Sequence, residues 1–232
     1  MTAFLRALLG SVLLTCAAAA TSDQSFAGAP NETATEPADP LVLKREASAA
    51  TPDQRVLLKY LVSCALPKGV RLRLEVEGQS FHYAGALGLA PQWAERGLTT
   101  SEQRWVSACI LARTNFFGKE VAISMRARGP APGSLQVTPM ERARFTLAEG
   151  AFFGNIFAEP PVAYTCSGAR TPNDAWKDRV CAEPTASTGP GGQTLTRCGF
   201  IHVGTCPKGS PIIAGSDSYS ELIFVYLKPS AP

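Results

Sequence analysis

Apolar and polar positions alternate strictly over residues 70–77. Val70, Leu72, Leu74 and Val76 fall on one side, and Arg71, Arg73, Glu75 and Glu77 on the other. A repeat of two predicts a strand with one face buried and one wet. Gly78-Gln79 turns it back into residues 80–84, where Phe81 and Tyr83 keep the phase. The repeat returns through Val121, Ile123 and Met125, and apolar runs at 200–203 and 222–227 read as two further strands.

Elsewhere the repeat lengthens to that of a helix. Over residues 99–118, Trp105, Ala108, Cys109 and Ala112 recur at i, i+3, i+4 and i+7, so one apolar stripe carries a large ring and a thiol. Thr99 with Glu102, or Thr100 with Gln103, supplies a capping box, and Asn115 or Gly118 can end the helix. An earlier helix opens at Thr51-Pro52-Asp53-Gln54, runs along Leu57, Tyr60, Leu61 and Cys64, and stops at Pro67-Lys68-Gly69. Thr138-Pro139-Met140-Glu141 starts a third, expected to reach Gly150, and Thr171-Pro172-Asn173-Asp174 starts a short fourth. Residues 85–97 read as loop with one helical turn near Pro91, and residues 183–197 as low-complexity loop. About four short helices among antiparallel strands predict a single α+β domain.

Composition adds an address. The chain has 232 residues, 45% of them hydrophobic, enough for one substantial core. Arg6, the apolar run 7–14 and the small residues at 17–20 read as a signal peptide over residues 1–20. Leu13-Leu14-Thr15-Cys16 resembles the lipobox of bacterial lipoproteins, with Thr15 departing from the small residue usual before the cysteine. Cys16 is therefore either a lipid-attachment site or one more apolar residue of a cleaved signal. Residues 21–50, rich in Ala, Thr, Ser, Pro and Glu, read as a disordered tether, which leaves 51–232 as the cysteine-rich domain. No segment approaches the ~20 apolar residues of a spanning helix. The expected location is periplasmic, outer-membrane-anchored or extracellular.

The cysteines fit that address. There are seven, and setting Cys16 aside leaves Cys64, Cys109, Cys166, Cys181, Cys198 and Cys206, which in an exported protein most simply make three disulfides. Cys64 and Cys109, each on a buried helical stripe, suggest a bond between those helices. No pair has Cys-x-x-Cys spacing, which argues against a metal cluster or a redox motif. A net charge of +3 with scattered Lys and Arg argues against nucleic acid and against an anionic membrane, so membrane contact rests on the lipid anchor alone.

Candidate chemistry is sparse. His82 and His202 are the only histidines, and each lies between apolar neighbours in an expected strand. Brought together they could act as a base or as two metal ligands, but no third or fourth ligand pattern accompanies them. No Gly-x-Ser-x-Gly elbow is present, and Ser216-Asp217-Ser218 reads as a polar loop. Glu149 stands out among the carboxylates because it opens Glu-Gly-Ala-Phe-Phe-Gly-Asn, which reads as a distinctive loop. Phe152 and Phe153 in that segment either line a groove or plug the core, and burial is the commoner fate of Phe. Trp93 is the candidate for an exposed aromatic contact. No cofactor is expected.

Leu-Val-Ser-Cys-Ala-Leu-Pro, Gly-Leu-Ala-Pro-Gln-Trp, Ser-Glu-Gln-Arg-Trp-Val-Ser-Ala-Cys and Glu-Gly-Ala-Phe-Phe-Gly-Asn together resemble a group of exported, cysteine-rich bacterial proteins of uncharacterised activity. The resemblance implies bacterial export and one domain, and carries over no catalytic residue. The reading is an envelope protein acting as a binding or structural module, its partner a small ligand or another envelope protein. The alternative is a secreted hydrolase with dispersed catalytic residues.

Overall fold

The computed structural model describes residues 52–76, 78–115, 121–128, 131–168, 179–180, 187–188, 194–196, 198–209 and 211–229. Cys16, the signal peptide, the tether, Cys181 and the body of the fourth expected helix lie outside the described residues. The chain divides into two compact units. The first comprises Met1–Val106, Pro132–Ser134 and Ile156–Pro161, the second Ser107–Ala131, Leu135–Asn155 and Val162–Pro232.

Unit 1 holds α1 (Pro52–Ala65), the hairpin β1 (Arg71–Val76) and β2 (Gln79–Ala84), a 3-10 turn at Pro91–Ala94, and the first half of α2 (Thr100–Ala112). The alternation sets the hairpin register, pairing Leu72 with Tyr83 and Leu74 with Phe81. Leu72, Leu74 and Tyr83 are buried, while Arg71, Arg73 and Glu75 face water. The α1 stripe differs in part from expectation. Leu58, Leu61, Val62 and Ala65 are buried and Tyr60 is exposed. Leu61 and Cys64 are buried as expected, while Leu58, Val62 and Ala65 join the stripe and Tyr60 leaves it.

Helix α2 starts as its capping box requires. The Thr99 N–H donates to Glu102 Oε2 at 2.8 Å, and the Glu102 N–H donates back to Thr99 Oγ1 at 3.3 Å. It stops at Ala112, earlier than Asn115 or Gly118. The last turn tightens, with Arg113 N–H to the Ile110 carbonyl and Thr114 N–H to Leu111, each at 3.1 Å.

Unit 2 is built on a seven-stranded sheet of order β3-β11-β4-β5-β8-β7-β6. Its strands are β3 (Ile123–Ala127), β4 (Leu147–Asn155), β5 (Val162–Ser167), β6 (Ser187–Thr188), β7 (Thr194–Leu195), β8 (Ile201–Thr205) and β11 (Ile223–Leu227). Every pairing is antiparallel except β5 with β8. A short hairpin, β9 (Ile212–Ala214) and β10 (Asp217–Tyr219), takes in Asp217 and Ser218 of the expected polar loop, while Ser216 sits in the turn before β10. Its Ile212, Ala214 and Tyr219 pack with Ala151, Phe153, Tyr164, Cys166 and Leu222 in one core.

Helix α3 (Pro139–Arg144), capped by Thr138, is the last of three α-helices among the described residues and ends well before Gly150. The presumed loop that follows is the central strand β4. A strand buried on both faces shows no alternation, so its pattern resembles neither helix nor strand. Gly150 serves close approach there, since a Cβ at that position would lie 2.1 Å from the Cys166 carbonyl oxygen.

Cys166 bonds to Cys206 with their Cα atoms 4.9 Å apart, and Cys64, Cys109 and Cys198 are disulfide-bonded too. Every cysteine among the described residues is thus oxidised, which fits an oxidising, extracytoplasmic setting. Among the described residues no helix is long and apolar enough to cross a membrane.

Candidate functional site

The site begins with two periodicities meeting in unit 1. Arg55, Val56 and Lys59 project from one face of α1, at i, i+1 and i+4, while β2 contributes Phe81, His82 and Tyr83. Together they line a shallow cleft of 190 Å³. The Arg55 guanidinium lies 5.2 Å from the centre of the Phe81 ring. Tyr83 is 4% exposed, and its hydroxyl has no hydrogen-bond partner among the described residues. Burial pushes its phenol up from the ordinary value, against the Arg55 charge that pulls it down. The phenol is therefore a neutral donor at working pH. His82 is exposed, with Nε2 3.4 Å from Ser80 Oγ, and Arg73 Nε donates to that same hydroxyl at 3.0 Å. The arrangement offers two cations, one committed donor without an acceptor, and the face of a ring.

The other residues nominated by the sequence lie elsewhere. Glu149 sits in β4 where the register against β11 skips from Gly150 to Ala148, leaving it without a partner residue on that strand. Such a bulge re-aims a side chain. Here it delivers a fully buried carboxylate to Arg179, whose Nε donates to Oε1 at 2.9 Å and whose Nη2 donates to Oε2. Arg179 Nη1 donates to the carbonyls of Ala112 and Thr114 at 3.0 and 2.7 Å. One guanidinium thus holds the carboxylate and completes the C-terminus of α2, where the helix leaves acceptors unpaired. Its carbon also lies 5.6 Å from the centre of the Phe152 ring.

His202 on β8 is half-buried and within 3.3 Å of Ser167 Oγ on the parallel neighbour β5. Burial lowers its imidazole below the ordinary value of 6.5, so it is neutral at pH 7. The nearby backbone donors are committed. The Gly168 N–H bonds the Glu149 carbonyl at 3.0 Å, and the Cys206 N–H bonds the Ser167 carbonyl at 2.9 Å.

The aromatic candidates are core residues. Trp93 is 3% exposed, so the expected surface contact does not exist; the 3-10 turn buries its ring. Phe152 packs edge-on to Phe200, and Phe153 stacks on Tyr164, both fully buried within β4. His82 lies in unit 1 and His202 in unit 2. Among the described residues, no group of three or more His, Cys, Asp or Glu side chains could hold a metal ion.

Sequence reasoning missed Arg55, Lys59, Tyr83 and Arg179. The first two carry a signal, since i, i+4 cations beside an apolar stripe mark one flank of a helix. Arg179 carries none, because its partners are 30, 65 and 67 residues away. No protein-family model, no curated protein and no solved structure matches this chain.

Proposed function

We propose that this is an exported or lipid-anchored envelope protein that works by binding, and that its unit 1 cleft takes a small ligand with an anionic head and an apolar flank. The observation that carries the reading is the Tyr83 hydroxyl, buried without a partner among the described residues in a cleft that also holds Arg55 and Lys59. Leaving a buried hydroxyl unsatisfied costs roughly 1–3 kcal/mol, which a ligand acceptor would recover. Arg55 and Lys59 favour a negative acceptor, and Phe81 offers it an apolar wall. The disulfides support the extracytoplasmic setting.

A hydrolase reading draws on Ser167 and His202, a hydroxyl beside a neutral imidazole. Against it, the adjacent N–H groups already have acceptors and would not stabilise an oxyanion.

Benzoate, a carboxylate with an apolar ring, is the probe, and inorganic phosphate is the comparator. Titration followed by NMR should shift the Tyr83 and Lys59 signals saturably with benzoate. Tyr83→Phe should weaken binding roughly tenfold, as loss of a hydrogen bond to a charged group does. Binding unchanged in Tyr83→Phe, or no saturation with either anion, would overturn the cleft. Hydrolysis of a p-nitrophenyl ester that Ser167→Ala abolishes and Tyr83→Phe leaves intact would move the function to β5 and β8.

A further inference from the structure

Six cations that are far apart in sequence become neighbours along one edge of the unit 2 sheet. Arg126 lies on the edge strand β3 and Arg128 directly follows its last residue, Ala127, two positions on. Arg126 lies 3.7 Å from the centre of the Tyr226 ring, and its Nη2 donates to the Phe145 carbonyl at 2.6 Å. That contact brings in the end of α3, with exposed Arg142 and Arg144 just before Phe145. Lys228 Nζ is 5.4 Å from the Phe145 ring. At the other end, Arg128 lies 4.3 Å over Phe224, and its Nη1 donates to the carbonyls of Pro207 and Gly209 at 2.8 and 2.6 Å, which flank exposed Lys208.

None of the six pairs with a carboxylate among the described residues. Protecting an edge strand from pairing would account for Arg126 and Arg128. It does not account for four more cations contributed by α3, the 207–209 turn and the residue after β11. The Arg126 and Arg128 guanidiniums are also held by ring faces and carbonyls, which removes much of the ordering cost of binding.

We propose that this row binds a linear acidic polysaccharide. The contacts order the cations in a line from Lys208 past Arg128 and Arg126 to Arg144 and Lys228, so they match a chain with repeated anionic groups better than a planar lipid surface, and the oxidised cysteines put the row where such polymers occur. An unneutralised row also raises the encounter rate with a polyanion and makes binding salt-dependent.

The test uses the full chain and heparin as the probe, with anionic phosphatidylglycerol vesicles and single-stranded DNA as competitors. Arg142→Ser, Arg144→Ser, Lys208→Ser and Lys228→Ser combined should weaken heparin binding at least tenfold. The combination should also cut the slope of log affinity against log salt by about four, one per lost contact. Lys68→Ser with Arg71→Ser, in the first unit, should leave both unchanged. Should the fourfold variant melt early, Lys208→Glu and Arg142→Glu singly must each weaken binding. No heparin binding at low salt, equal loss in the control, or unchanged affinity in the row variants would overturn the proposal. Tighter, row-dependent binding to vesicles or DNA would overturn the choice of polymer.

Discussion

The centre of the unit 2 sheet and the hairpin of unit 1 contain the same two polar pairs in opposite surroundings. Each has an Arg–Glu bridge and a Ser–His contact. In the sheet, Arg179 and Glu149 side chains are 4% and 0% exposed, and His202 is half-buried beside Ser167. On the hairpin, Arg73 and Glu75 are 63% and 59% exposed at 2.8 Å, and His82 lies in water beside Ser80. Geometry already favours the buried bridge, which is bidentate where Arg73–Glu75 makes a single bond. Solvent separates them, because a charge in water loses little when its partner leaves, whereas a charge in a core is left with a desolvation cost it cannot recover.

The largest effect should therefore come from breaking the buried bridge one side at a time. Glu149→Met or Arg179→Met should each cost about 3–5 kcal/mol, the penalty of an uncompensated buried charge. Glu149→Met with Arg179→Met should recover a substantial part of that loss, though not all of it. The α2 carbonyls of Ala112 and Thr114 would still lack the donor Arg179 gives them. Denaturant unfolding of the four-member cycle is the measurement. Additive losses would mean that Glu149 and Arg179 act independently, and the contrast with the hairpin would fail.

A smaller effect separates the two imidazoles. Burial keeps His202 below its ordinary 6.5, so the unfolded chain binds a proton more readily than the native one. Its contribution to stability is complete above about pH 6.5 and declines as pH falls toward the depressed native value. His202→Gln should flatten that acid-side decline in melting temperature. A decline that persists unaltered in His202→Gln would assign it to other groups.

The legible parts of the molecule were those with short repeats. Alternation at 70–77 gave the hairpin, and Thr99 with Glu102 marked the start of α2. What escaped was decided by long-range burial. Strand β4 lost its period by being covered on both faces, and its two glycines, needed for close strand approach, imitated a loop. Glu149 drew notice for its odd segment, but a carboxylate's role depends on what faces it, and Arg179 is 30 residues away. Among the aromatics, Phe152 and Phe153 plug the core as the commoner fate of Phe predicts, and only Trp93 departs from the exposed contact expected of it. Trp93, Phe152 and Phe153 were distinctive through their glycine neighbours, which here admit tight packing rather than exposure. The cation row is a case of long-range placement. Charges scattered along the sequence come from four segments that meet along one edge of the sheet.

The smallest effect is the most informative about the hairpin. Arg73→Ala removes the bridge to Glu75 and the donor to Ser80 together. All three side chains lie on the wet face of the alternation, where substitutions stay within about 0.5 kcal/mol. Chemical denaturation should thus barely distinguish Arg73→Ala from the parent chain. A loss above about 1 kcal/mol would show that the wet face is packed in a way its exposure denies. A null result fixes what that face is free to do. Polar groups that hold no stability can be arranged for a ligand, and His82 stands on this face at the margin of the cleft that holds Lys59 and Tyr83. The Glu149–Arg179 pair has no such freedom, because its carboxylate and guanidinium are committed to each other and to the α2 carbonyls.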